Sequence, residues 1–128
     1  MEKIDKVVKA LTNLQPDANW SITGDDIATE EEFNNNIKLV VGEEPDGRSI
    51  MSEVNPYPSI TWSTFSAEKD RIQAEYDGLA YARARKLAYP VTLEFIEAYT
   101  EKEIGGDSTK WDAYVIKYNK VRSDNSKP

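Results

Sequence analysis

The side chains that most enzymes use for nucleophilic attack or proton relay are missing: the sequence contains neither cysteine nor histidine. Their absence removes disulfides, thiolate nucleophiles, zinc-finger and iron-sulfur ligand sets, Ser-His-Asp and Cys-His relays, and the usual imidazole metal sites. Carboxylate chemistry, lysine chemistry and backbone phosphate binding stay open. Carboxylates gather at Gly24-Asp25-Asp26 and at Glu30-Glu31-Glu32, which could in principle surround a hard cation such as magnesium or calcium. The spacing lacks the alternate oxygen ligands, central glycine and terminal glutamate of an EF-hand loop, so it reads as a solvated acidic turn and helix cap. Pairs suited to glycoside hydrolysis cannot be singled out, because an acidic chain offers many and the sequence does not encode their separation. Gly42, Gly47, Gly105 and Gly106 fit neither a Walker loop nor a dinucleotide fingerprint and read as turn residues. No catalytic, cofactor-binding or metal-ligating residue is therefore assigned, and no cofactor is expected.

Binding chemistry has more candidates. The run at residues 81–90, YARARKLAYP, interleaves Arg83, Arg85 and Lys86 with Tyr81 and Tyr89. Arginine can grip phosphate or carboxylate through two parallel hydrogen bonds, and tyrosine can stack on bases. On a helix these residues spread over more than half the circumference, so they form no narrow reading stripe. They read as a solvated face with arginine stems along aromatic surface, or else as a docking contact for an acidic partner. Three Trp and seven Tyr are numerous for this chain length. They either fill the core and helix seams or, where exposed, anchor an interface. Trp20, Trp62, Tyr81, Arg83, Arg85, Tyr89 and Trp111 are the candidate protein-interface residues.

The elements that would position them can be read from periodicity. Ile4, Val7, Val8, Leu11 and Leu14 form one apolar helical stripe over residues 2–14, stopped by Pro16. Residues 20–23 alternate as a short strand, and Thr29 with Glu32 has capping-box spacing for a single helical turn. Residues 37–41 and 48–51 read as a hairpin whose loop contains Pro45 and Asp46-Gly47. Residues 55–58 form a connector, and residues 59–62 offer another strand with Ile60 and Trp62 on one face. From Ser66, a plausible N-cap, the longest helix is expected to run to the break at Tyr89-Pro90. Pro90 can open the next helix, which stops at Gly105-Gly106, and Ser108 caps a last one carrying Trp111.

Helix, short strands, then three helices imply an α+β fold with a small antiparallel sheet. The expected organisation is residues 1–65 as helix plus β region, 66–122 as a helical region, both in one continuous structural unit, and 123–128 as a loose tail. At 128 residues the chain has the size of one domain with a sizeable core. The formal charge of −7 is concentrated in residues 1–65, with five Lys or Arg against twelve Asp or Glu. That acidity disfavours nucleic acid as a partner. The N-terminus is charged and no run of eighteen apolar residues occurs, so no membrane association is expected.

Two passages together resemble a group of small structural proteins associated with the tails and tail fibres of tailed bacteriophages. The run VVKALTNLQPDANWSI at residues 7–22 is similar to their opening helix, proline turn and Trp strand, with Ile60-Thr61-Trp62 as a second Trp strand. The Arg85-to-Pro90 element, an amphipathic helix, Gly105-Gly106, Trp111 and a terminal Lys127-Pro128 resemble the same proteins' C-terminal half. The likeness spans residues 7–22 and 58–128. Residues 24–57 depart from it as a hairpin-like insertion, and the ending lacks a Tyr-Pro-Lys-Pro sequence. The resemblance implies a non-enzymatic virion protein, an adaptor in a tail, neck or fibre attachment. Its partners would be other phage structural proteins and further copies of itself in a symmetric assembly. Two rival readings remain. A non-virion phage factor, such as a tail-fibre assembly chaperone or an acidic inhibitor of a host protein, would be absent from mature particles. A carboxylate-dependent hydrolase requires a pocket with convergent carboxylates of perturbed pKa.

Overall fold

The structure, a computed structural model, describes residues 1–55 and 57–128. Pro56, within the expected connector, lies outside the described residues. The fold is α+β, as the segregated pattern implies. Its elements are α1 (Lys3–Leu14), β1 (Trp20–Ile22), α2 (Glu30–Asn36), β2 (Ile37–Glu43), β3 (Ser49–Ser52), α3 (Trp62–Gly78), α4 (Ala80–Ala88), α5 (Thr92–Glu103) and α6 (Thr109–Asp124). They fall into two compact units, Met1–Tyr76 and Asp77–Pro128. The boundary expected after residue 65, inside one continuous unit, thus falls near the end of α3.

In the first unit the strands form an antiparallel sheet in the order β1-β2-β3. Trp20 pairs with Leu39 and Ile22 with Ile37, while Val40 and Gly42 face Met51 and Ile50 across a bulge that leaves Val41 exposed. The hairpin turn is closed by Glu44 N–H donating to Arg48 O at 2.7 Å, and Gly47 supplies the positive φ of 88° that an L side chain resists. So small a sheet needs a partner layer. Helices supply it: Val7, Ala10 and Leu11 of α1 meet Ile27, Ile37, Ile60, Phe65 and Ile72 in one buried cluster. Ala10 takes the place in this cluster that periodicity gave to Val8, which is 47% exposed.

Capping explains two departures from the expected elements. Thr29 Oγ1 accepts from Glu32 N–H, and Glu32 Oε2 accepts from Ala28 N–H at 2.6 Å, so both side chains serve the N-terminus and α2 extends over seven residues rather than one turn. The strand expected at residues 59–62 does not form. Thr61 and Thr64 exchange backbone N–H to hydroxyl bonds at 3.0 and 3.2 Å, a reciprocal cap that starts α3 at Trp62. Ser66 is consequently inside a helix, not at its cap. The single long helix expected up to residue 89 is broken at Gly78, where Leu79 takes φ −98°, ψ 8° before α4 begins. Pro90 precedes the N-cap Val91 rather than opening α5. Before α6, Asp107 Oδ1 accepts from Thr109 N–H at 3.0 Å, while the side chain of Ser108 makes no capping bond. The tail expected to be loose from residue 123 is helical through Asp124, and Asn125 Nδ2 donates to Val121 O.

Polar contacts around the first core fix loop and helix positions. Lys69 Nζ reaches Asp26 Oδ1 at 2.9 Å and Ile27 O at 2.5 Å, and its hydrogen bond to Asp26 is the main cause holding that carboxyl below its ordinary value. Glu68 accepts from Arg71 and from Asn13 Nδ2 at 2.7 Å, joining α3 to α1. The Arg71 bond, then the Asn13 bond, holds Glu68 at about 2 against an ordinary 4.5. A depressed carboxyl stabilises the fold above its unfolded value and loses that contribution as pH falls. Denaturant stability of the full chain should therefore decline between pH 4.5 and about 2, with Glu68→Gln flattening part of that decline. An unchanged pH profile in the variant would refute the assignment. Removing the fully buried Phe65 ring as Phe65→Ala should destabilise the first unit by about 3–5 kcal/mol in urea titrations, whereas a loss under roughly 1 kcal/mol would mean the ring is not central.

Candidate protein interface

The seven candidate residues separate into three settings. Trp20 and Trp62 pack against the first unit's core. Trp20 stands edge-on to Tyr57, with centroids 6.0 Å apart, and lines a pocket of about 120 Å³ with Phe33, Leu39 and Ile60. Its indole N–H is buried with no hydrogen-bond partner among the described residues. Trp62 lies 6.0 Å from Phe33 and 6.1 Å from Phe65, closing one side of the core.

The α4 residues form the second setting. Half-buried Arg85 lies 5.1 Å over the Tyr81 ring, and its guanidinium donates to Asn125 O at 2.8 Å and Arg122 O at 3.3 Å. These acceptors are orphan carbonyls at the C-terminus of α6, where a cation also meets the negative end of the helix dipole. Arg85 is thereby committed inside the unit. Arg83 is half-buried on the same helix.

The third setting is the antiparallel partnership of α5 and α6, held by a small inner contact at Ala98. Along one edge, Phe95 and Tyr99 of α5 meet Trp111 and Tyr114 of α6 at centroid distances of 5.6 to 6.1 Å. Tyr118 continues the row, stacked at 5.0 Å on Tyr89. Phe95, Trp111, Tyr114, Val115 and Tyr118 line a shallow groove of about 280 Å³. Lys102 sits 4.7 Å over Trp111 and Arg122 5.8 Å over Tyr118, placing a cation near each end of the row. Arg122, and then Tyr89, hold the Tyr118 phenol below its ordinary value by hydrogen bonding to the charged form. The other edge is ionic: Lys117 pairs with Glu94 at 3.0 Å and Lys110 with Glu101 at 2.7 Å and Glu97 at 3.7 Å.

Residues of α5 that were read only as helical pattern turn out to be the unusual ones. Phe95, Tyr99, Ile96, Leu93 and Ile104 follow one another around the outer half of α5, and all are between 39% and 84% exposed. A helix with apolar residues on its inner, lateral and outer faces is normally enclosed. The sequence signal was the spread of Leu93, Phe95, Ile96, Tyr99 and Ile104 over more of the helix circumference than one face against a neighbouring helix requires.

The acidic cluster does not converge. Asp26 is taken up by Lys69, Glu32 caps α2, and among the described residues no group of three carboxylates is arranged to hold a metal ion. Among the described residues no helix is long and apolar enough to cross a membrane. In comparisons with protein-family models, curated proteins and solved structures, the chain matches none.

Arg85 yields a direct test of the second setting. Arg85→Ala should leave the helix content of the first unit intact while amides around Val121 to Asn125 exchange roughly tenfold faster in hydrogen-exchange measurements. Unchanged exchange there would show that the guanidinium does not restrain the end of α6.

Proposed function

We propose that this chain is a minor virion protein of a tailed bacteriophage, an adaptor in the tail, neck or fibre attachment that works through protein-protein contacts. The observation that carries the contact reading is the exposed apolar face of α5 beside the aromatic groove. Large exposed apolar patches on a folded chain mark interaction surfaces, and tyrosine and tryptophan are the side chains that most often anchor them. The phage assignment is supported by the resemblance of residues 7–22 and 58–128 to small tail proteins.

The role is non-catalytic. Asp26, Glu68 and Asp107, the carboxyls with shifted titration, are all held below their ordinary values by hydrogen-bond donors. A general acid working near neutral pH needs the opposite shift. Charge supports a contact function in which the units differ. Residues 1–76 hold seven Lys or Arg against fifteen Asp or Glu, net −8, while residues 77–128 hold nine against eight, net +1. The first unit repels acidic surfaces and copies of itself, and the second can approach either.

The proposal is tested by mass spectrometry of purified particles of the phage that encodes this sequence, combined with lysine cross-linking to identify neighbours. Recovery in particles, with cross-links from Lys102, Lys117 or Lys120 to tail components, is the expected result. Presence in the infected-cell lysate with absence from particles would overturn the virion role in favour of a transient assembly factor.

A further inference from the structure

We infer that Tyr89 and Tyr118 are the site of an intramolecular dityrosine cross-link, formed by a one-electron oxidant, that fastens the end of α4 to α6. The inference stands apart from the contact reading, because it concerns two side chains inside the second unit. It begins from composition. The chain has no cysteine and cannot be tied by a disulfide, whereas seven tyrosines offer phenols that can be joined to one another by oxidation.

Geometry selects this pair. Tyr89 is the C-cap residue of α4, and Tyr118 lies in the middle of α6. Their rings are stacked at 14° with centroids 5.0 Å apart, closer than Tyr114 and Tyr118 at 6.3 Å. Tyr89 is also a hydrogen-bond partner of the Tyr118 hydroxyl, so the two hydroxyl-bearing edges lie side by side. Arg122 Nη1 approaches the same hydroxyl at 3.4 Å and helps to hold that edge in place. The carbons beside each hydroxyl are where the unpaired electron of a tyrosyl radical concentrates, and they are the atoms that couple. Trp111 and Tyr114 continue the row along α6 at centroid distances of 6.0 and 6.3 Å, so an electron lost from either ring can be replaced from Tyr118. Both Tyr89 and Tyr118 are half-buried, which leaves them within reach of a small oxidant.

The chemistry balances. Each phenol gives one electron to the oxidant and its hydroxyl proton to solvent. The two radicals join through one carbon beside each hydroxyl, and the hydrogen on each of those carbons moves to the oxygen of its own ring, restoring both phenols. One carbon-carbon bond forms, two electrons pass to the oxidant and two protons are released. Phenols on separate chains must meet by diffusion, whereas this pair is already held together, so the internal link is favoured in dilute solution. The link closes the loop that contains α5, in a unit whose buried hydrophobic contribution among the described residues is Ala98. Closing a loop restricts the opened states of the chain, as a disulfide does.

At about 1 μM full chain, a dilution that suppresses coupling between molecules, photo-excited ruthenium tris-bipyridyl with persulfate as electron acceptor should give a monomer lighter by two hydrogen atoms and showing dityrosine fluorescence. After trypsin, tandem mass spectrometry should find the peptide that starts at Leu87 joined to the one that starts at Tyr118. Tyr89→Phe and Tyr118→Phe keep the rings and should each lower the yield about tenfold or more, while Tyr114→Phe should leave it within about twofold. In the linked product, amides near Tyr89 and Tyr118 should exchange roughly tenfold more slowly than in the untreated chain. Coupling between chains alone overturns the inference, as do oxidised rings with no carbon-carbon link. So does an internal link that survives Tyr89→Phe or disappears with Tyr114→Phe. An internal link that leaves amide exchange unchanged overturns the fastening of α4 to α6.

Discussion

The burial of Phe65 is the contact on which the first unit turns. Its ring lies 5.2 Å from Phe33 of α2 and 6.1 Å from Trp62 in the first turn of its own helix, and the Lys69 ammonium stands 5.7 Å from its centroid. Lys69 is in turn the donor that secures Asp26 and the carbonyl of Ile27, whose side chain enters the same core. A single aromatic side chain therefore connects apolar burial, the position of α2 and the conformation of the loop before it. A three-stranded sheet has too little surface to stand alone. Its inward residues Ile37 and Leu39 depend on helices that are correctly started, and the reciprocal Thr61-Thr64 cap starts the helix that carries Phe65.

Residues 77–128 obey a different rule. Among the described residues, nine of the ten buried hydrophobic residues belong to the first unit, and Ala98 alone belongs to the second. The second unit is organised instead by aromatic edges, ion pairs along α5 and α6, and the grip of Arg85 on the C-terminal carbonyls of α6. Surface ion pairs contribute little each, commonly under about 1 kcal/mol, and ring contacts at an open groove keep only part of the burial gain they would have inside a core. Such a unit has geometry without much enclosed apolar volume. The outer residues of α5 gain the hydrophobic term only when something covers them.

How much was legible in the sequence follows from what decides each element. The α1 stripe and the β2-β3 hairpin were readable because both signals are local: apolar spacing in one, turn chemistry at Asp46-Gly47 in the other. Residues 59–62 misled because alternation over so few positions suits a strand as well as the approach to a helix. The deciding event was hydroxyl-to-amide capping between Thr61 and Thr64, which a period-two count does not register. At α6 Ser108 holds the N-cap position as expected, but the side-chain bond to the Thr109 N–H comes from its neighbour Asp107. For the candidate interface, the aromatic content was visible and its division was not. Trp20 and Trp62 support a core whereas Trp111 borders a groove, because exposure depends on what stands across from a side chain rather than on its own identity.

The contrast between the units bears on how the proposed contact function could be specific. Charge and shape are separated along the chain: the well-packed first unit carries the acidity, and the nearly neutral second unit carries the exposed rings. Long-range repulsion of acidic surfaces acts mainly on the first unit, whereas any partner of α5 would meet short-range apolar contacts. Apolar faces associate with little regard to partner identity when no field restrains them, and charged surfaces hold weakly in salt when no apolar anchor backs them. Under the proposed contact function, keeping the acidity and the exposed rings on separate compact units would let the apolar surface be large without making the whole chain prone to collect unrelated proteins. Along the ionic edge of α5, Glu94, Glu97 and Glu101 are paired with Lys110 and Lys117 within the unit.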